Sequence, residues 1–217
     1  MRWLIVALVG AMTFLYGLSS GSTLICLLSK PLPVLALLGW LRSAAVGPYR
    51  RWVVIGLLFS LLGDMLLAWP ADLFVFGLGA FLFAHLAYLK AYLSDTRRLA
   101  PLALILAATT GAVLLGVLAS HGLGELLIPV CVYALAISAM LWRALACGGL
   151  AAAGALAFVF SDSLIGIDRF VMPFEAAPYL IILSYWLGQW GIAASVGSST
   201  AAPRPSAACG SGYKGSA

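Results

Sequence analysis

The chain has 217 residues, of which 64% are hydrophobic and 9% charged, with a mean hydropathy of +1.09. A water-soluble domain carries about a quarter charged residues, so this composition excludes water-soluble folds and indicates a polytopic membrane protein. The formal net charge of +5 does not point to nucleic acid, because the Lys and Arg residues stand singly or in pairs between apolar runs and not along one stripe.

A hydrocarbon layer of about 30 Å is crossed by about 17 to 25 helical residues, and eight apolar runs meet that requirement. The first, Trp3 to Leu18, follows Arg2 and has the outline of a signal peptide, but no A-x-A-like cleavage site follows Leu18 and a retained span is expected. The second, Leu24 to Leu41, contains Lys30-Pro31, and the third, Trp52 to Trp69, contains Asp64. In the fourth, Leu73 to Leu93, Gly77, Phe81, His85, Tyr88 and Tyr92 recur at steps of three and four, which puts His85 and Tyr88 on one helix face. Pro101 to Ala119 and Leu126 to Leu145 are the fifth and sixth. The seventh, Gly149 to Ile167, holds Ser161 and Asp162, and the eighth, Pro178 to Val196, holds Tyr185 and Gln189 one turn apart.

Turn signals separate these runs at Ser19-Ser20-Gly21-Ser22, Gly47-Pro48, Trp69-Pro70-Ala71-Asp72, His121-Gly122-Leu123-Gly124, Cys147-Gly148-Gly149 and Pro173 to Pro178. The connections are short, so sequential helices are expected to be antiparallel neighbours. Residues 197–217, rich in Gly, Ser, Ala and Pro, read as a disordered tail after a transmembrane domain of residues 1–196. The expected fold class is all-α, a membrane bundle of eight transmembrane helices. An even number of spans puts both termini on one side, together with Arg2, Arg42, Arg50, Arg51, Lys90, Arg97, Arg98, Arg143, Arg204 and Lys214, and leaves Lys30 and Arg169 on the other. The positive-inside rule makes the first side, with both termini, cytoplasmic; the expected location is the bacterial inner membrane. Asp72, Glu125, Asp168 and Glu175 fall in the opposite loops and read as solvated charge.

Asp64 and Asp162 lie inside spans, where an acid costs roughly 2.5 to 3.5 kcal/mol on insertion scales and calls for a partner or a function. Helix rise places Asp64 about 18 Å and Asp162 about 20 Å from the cytoplasmic starts of their spans. From the other side, Lys30 lies about 9 Å and Tyr185 about 10 Å deep. A lysine, two acids and a phenol therefore share one level. Hydrocarbon offers His85 no hydrogen-bond partner, so it lines a pocket or makes a helix-to-helix bond, while Tyr92 near a span end reads equally as an interfacial anchor. Gly63-Asp64-Met65-Leu66-Leu67 echoes Ser161-Asp162-Ser163-Leu164-Ile165, which fits either two parallel four-helix halves or the small-residue preference of close helix packing. Cys26, Cys131, Cys147 and Cys209 show neither a disulfide framework nor a metal-ligand spacing.

The runs Leu57 to Leu67, Phe76 to Tyr88, Ala153 to Leu164 and Ser184-Tyr185-Trp186-Leu187-Gly188-Gln189, with Lys30-Pro31 and Val132-Tyr133-Ala134-Leu135, closely resemble the YhhN-type family of lysoplasmalogenase-like membrane proteins. The resemblance covers spans two to eight. It implies a hydrolase of the vinyl ether bond of lysoplasmalogens, releasing a fatty aldehyde and a glycerophosphoethanolamine or glycerophosphocholine. Its expected partners are a lysophospholipid substrate and membrane lipids, with no nucleic acid and no protein partner indicated.

Enol ether hydrolysis requires proton delivery to the double-bond carbon and attack of water on the resulting oxocarbenium ion, work that two carboxyls share in glycoside hydrolysis. Asp64 and Asp162 are the candidate acid and base, in either assignment. Lys30 is a candidate to neutralise one acid or to hold the headgroup phosphate, and His85, Tyr88, Ser161, Tyr185 and Gln189 are candidates to position water and glycerol hydroxyls. This chemistry needs no cofactor and no metal, although Asp64, Asp162 and His85 could converge on a cation. Neither a G-x-S-x-G nor an H-E-x-x-H motif occurs. The competing reading is a proton-coupled transporter of a small solute or lipid working through the same acids.

Overall fold

The computed structural model describes residues 2–199. Most of the expected tail, residues 200–217, lies outside the described residues. Among the described residues every regular element is helical: α1 (Arg2–Ser19), α2 (Thr23–Ser29), α3 (Leu32–Leu41), α4 (Pro48–Ala68), α5 (Phe74–Asp95), α6 (Pro101–Ser120), α7 (Leu127–Cys147), α8 (Gly149–Phe170) and α9 (Ala177–Ala194), with short 3₁₀ turns at Gly124–Leu126 and Ser195–Ser198. With α2 and α3 taken as one span, eight helices are long and apolar enough to cross a membrane, as the sequence predicts.

Two boundaries differ from expectation for reasons of proline chemistry. The third span begins at Pro48, before the expected Trp52, because proline at the first turn lacks an N–H that the helix could not have paired. The charged Arg50 and Arg51 are thereby helical, and Arg50 Nε donates to the Leu41 carbonyl at 2.7 Å, satisfying the end of α3. The second span is interrupted at Lys30-Pro31, where Pro31 and Pro33 remove rungs of the hydrogen-bond ladder. This elbow delivers the Lys30 side chain into the bundle.

Helices α3, α4, α5, α7, α8 and α9 pack in a closed ring, each against the next, while α1 leans on α2 and α3 from outside. Helix α6 rests on α7 and touches α8 lightly. The outer position of both is reflected in burial, only 17% of the α1 span and 11% of α6. Such helices present apolar side chains all round because lipid is their solvent.

The tightest seam joins α8 to α9. A Cβ added at Gly154 would lie 2.5 Å from the Ile192 nitrogen and 2.8 Å from the Gly188 oxygen, so the two backbones touch and no side chain can give way. Gly154→Ala is therefore expected to destabilise the protein by about 1 to 3 kcal/mol, read as a lowered thermal midpoint in detergent. Gly116→Ala, with nothing within 4 Å of the added carbon, is expected to leave the midpoint unchanged or slightly raised. Equal effects at both positions would remove the seam from the account.

Arg143, one of the cations expected on the side of the termini, is a buried residue. It is 2% exposed and donates to the carbonyls of Arg98 (2.5 Å) and Thr96, while Trp142 Nε1 donates to the Leu99 carbonyl at 2.7 Å. Together they peg the connection between α5 and α6 onto α7, pairing carbonyls that no helix hydrogen bond uses.

Candidate active site

Four ring helices and the α2–α3 elbow bring the predicted polar residues into two hydrogen-bonded groups. In the first, Lys30 Nζ lies 3.5 Å from Asp64 Oδ1 and donates to the Asp64 backbone carbonyl at 3.4 Å, while Tyr185 OH donates to Asp64 Oδ2 at 2.7 Å. Asp64 and Tyr185 are buried, and the Lys30 side chain is 15% exposed along an open pocket bordered by Phe14, Ser22, Cys26 and Ala68. This carboxylate is paired on both oxygens.

The second group surrounds Asp162. Tyr133 OH donates to Asp162 Oδ2 at 2.5 Å, and His85 Nε2 lies 3.0 Å from the same oxygen and 2.8 Å from the Tyr133 hydroxyl. The tautomer with hydrogen on Nε2 makes both contacts; His85 Nδ1 is buried without a partner. Both donors fall on Oδ2, so Asp162 Oδ1 has no protein hydrogen bond among the described residues.

Aromatic rings separate the groups. The Phe158 ring is 4.8 Å from His85 and 5.3 Å from Tyr185, centroid to centroid, and Phe81 packs edge-on against both Phe158 (6.0 Å) and Tyr185 (5.8 Å). The carboxyls are within electrostatic reach of each other across these rings, without a shared hydrogen bond. A third chain of bonds lies alongside: Tyr88 OH donates to Gln189 Oε1 at 2.7 Å and lies 3.3 Å from Ser60 Oγ, all three residues being fully buried.

Of the predicted residues, then, Lys30, Asp64 and Tyr185 meet, His85 and Asp162 meet, and Tyr88 meets Gln189. Ser161 joins none of them, since its hydroxyl donates to the Ile181 carbonyl at 2.9 Å and ties α8 to α9. Tyr92 is wholly buried against Tyr49 and is no interfacial anchor. Tyr133 and Phe158 occupy central places that residue-by-residue reading did not assign. A phenol in the first half of the sixth span was the available signal for Tyr133, and nothing distinguished Phe158 from other apolar residues. Among the described residues no three His, Cys, Asp or Glu side chains converge in the manner of metal ligands.

Asp162 and Tyr133 also line a narrow apolar cavity of about 70 Å³ between α5, α6, α7 and α8. Phe74, Leu118, Val130 and Phe170 surround one end, and Ala107, Leu141 and Val159 lie towards the other. Along α8 the lining extends about 16 Å. Its walls are otherwise hydrocarbon, with the Thr110 and Ser138 hydroxyls on the α6 and α7 sides. The Asp162 carboxyl is thus set among apolar side chains.

The chain is similar to known proteins over most of its length. The profile described as the YhhN family matches residues 25–196. Human lysoplasmalogenase TMEM86B is 38% identical over 164 residues, which is 75% of this chain and 71% of that protein. The lysoplasmalogenase of Mycobacterium tuberculosis (strain CDC 1551 / Oshkosh) is 44% identical over 155 residues, 64% of this chain and 58% of its own. Human lysoplasmalogenase TMEM86A is 32% identical over 201 residues, covering 82% and 80%. No solved structure matches the chain. A match over most of its length, including every helix that contributes to the two polar groups, makes this chain a member of the YhhN family.

Proposed function

We propose that the protein hydrolyses the vinyl ether bond of lysoplasmalogens within the membrane, with Asp162 as the proton donor and Asp64 as a fixed second carboxylate. The observation that carries this reading is a carboxyl with one unengaged oxygen on the wall of an apolar cavity. Relatives named lysoplasmalogenase at 32 to 44% identity support the substrate class.

With its proton on Oδ1, Asp162 still accepts the Tyr133 and His85 bonds on Oδ2, so those donors hold the acid group without competing for its proton. The proton passes to the outer vinyl carbon, and the ether oxygen shares its lone pair with the inner carbon to form an oxocarbenium ion. The Asp162 carboxylate then takes a proton from the water that bonds to that carbon. The hemiacetal collapses, its carbon–oxygen bond breaks with a proton returning to the glycerol oxygen, and fatty aldehyde and glycerophospho-headgroup depart. Asp64, ion-paired with Lys30 and hydrogen-bonded by Tyr185, contributes its charge opposite the developing cation, across the Phe158 and Phe81 rings.

Purified protein in detergent, given 1-alkenyl-lysophosphatidylethanolamine, is expected to release fatty aldehyde without added cofactor. Intact substrate, together with proton-coupled uptake of a solute into protein-containing vesicles, would replace this reading with the transporter.

A further inference from the structure

The cavity has one end near charge and one end in hydrocarbon, which fixes how a lysophospholipid can lie in it. At the end walled by Phe74 and Phe170, Arg169 stacks over the Phe74 ring with its guanidinium carbon 4.4 Å from the ring centre. Its Nη2 donates to both carboxylate oxygens of Asp72, at 3.1 and 3.2 Å. Both residues are exposed, Arg169 by 40% and Asp72 by 69% of their side chains. A pair so placed contributes little to folding stability, and Asp72 sits at a φ of +45°, a left-handed conformation that non-glycine residues adopt at a cost. Stability alone does not account for it.

We propose that Arg169 is the headgroup phosphate receptor of this enzyme and that Asp72 occupies it until a lipid phosphate displaces the carboxylate. The inference rests on the lysophospholipid reading above and adds the orientation of the substrate. Arg169 lies about two helical turns beyond Asp162 on α8, about 10 Å along the axis. The glycerol unit separating a vinyl ether from its phosphate, extended by an arginine side chain, spans that interval. Guanidinium is suited to the task because its planar donors meet phosphate oxygens in pairs, and the Phe74 face keeps the group flat at the cavity rim. The alkenyl tail then runs past Asp162 towards Val159 and Leu141, on the side where α6 adjoins lipid. At the opposite end the lining is Ala107, Leu141 and Val159, and the nearby Arg143 is already engaged by the carbonyls of Thr96 and Arg98. Lys30 is no substitute, being engaged by Asp64 behind the aromatic rings.

The test uses the full-length protein in detergent and two ligands that lack the cleavable bond, 1-alkyl-lysophosphatidylethanolamine and 1-alkylglycerol, with binding followed by intrinsic tryptophan fluorescence. Arg169→Gln is expected to weaken binding of the lysophospholipid about tenfold or more and to leave alkylglycerol binding unchanged. Asp72→Asn, which frees the guanidinium, is expected to strengthen lysophospholipid binding. In turnover of the alkenyl substrate, Arg169→Gln is expected to raise KM with kcat held. Unchanged lysophospholipid binding in Arg169→Gln, or equal losses for both ligands, would overturn the assignment. Selective loss of binding in a protein that releases no aldehyde from any alkenyl lipid would keep the phosphate receptor and discard the hydrolase.

Discussion

Asp162→Asn is expected to lower kcat for alkenyl-lysophospholipid by about 10² to 10⁴-fold, the range lost when a positioned acid or base is removed. The amide is nearly isosteric, and its oxygen can keep the bonds from Tyr133 OH and His85 Nε2 that now fall on Oδ2. What it cannot do is release a proton towards the vinyl carbon or accept one from water. Binding of a non-cleavable 1-alkyl-lysophospholipid should therefore persist while aldehyde release collapses, and this separation identifies a chemical role. A variant retaining full turnover would take Asp162 out of the reaction. His85→Ala and Tyr133→Phe should give smaller losses in kcat, because each removes one of two donors to Oδ2 and leaves the acid in place.

The sequence made the spans legible because lipid demands long apolar runs and punishes polar interruptions. For the same reason it made the acids conspicuous. Helix rise alone put Lys30, Asp64, Asp162 and Tyr185 at one level, and the structure joins Lys30 and Tyr185 to Asp64. Depth, however, is one coordinate of three. The angular position of a residue around the bundle depends on which helices adjoin, and chain order did not reveal the α5–α7 contact that lets Tyr133 reach both His85 and Asp162. Nor could it reveal Phe158 as the divider between the two polar groups, since a phenylalanine in an apolar run satisfies every requirement of ordinary packing. The burial of Arg143 was equally illegible, because its charge said nothing of the side chain turning to the carbonyls of the α5–α6 connection.

The division of labour between the carboxyls follows from what each already holds. A group with a cation and a phenol on its two oxygens has its geometry committed before substrate arrives, whereas a group with one engaged oxygen is anchored and keeps the other free for substrate. Two-carboxyl catalysis by glycosidases uses this asymmetry between environments. Here the asymmetry is built by Lys30, placed by a proline-interrupted span, on one side of the aromatic barrier and by neutral donors on the other.

Asp64→Asn is expected to destabilise the protein by about 3 to 5 kcal/mol, the cost of stripping one partner from a buried ion pair. The replacement amide still accepts a hydrogen bond from Tyr185 OH, but the Lys30 ammonium, only 15% exposed, keeps no acceptor beyond the carbonyl of residue 64 at 3.4 Å. Lys30→Met should also destabilise the protein, because it strips the Asp64 carboxylate of its cation and leaves it the Tyr185 bond alone. The double variant, Lys30→Met with Asp64→Asn, leaves no uncompensated charge and is expected to regain most of the thermal midpoint lost by Asp64→Asn, measured for all four proteins in one detergent. Additive losses would show that the two residues are not coupled and that the pair does not anchor the site. If stability returns in the double variant while kcat stays well below wild type, the standing charge of Asp64 acts on the reaction itself, because the fold has been restored without it.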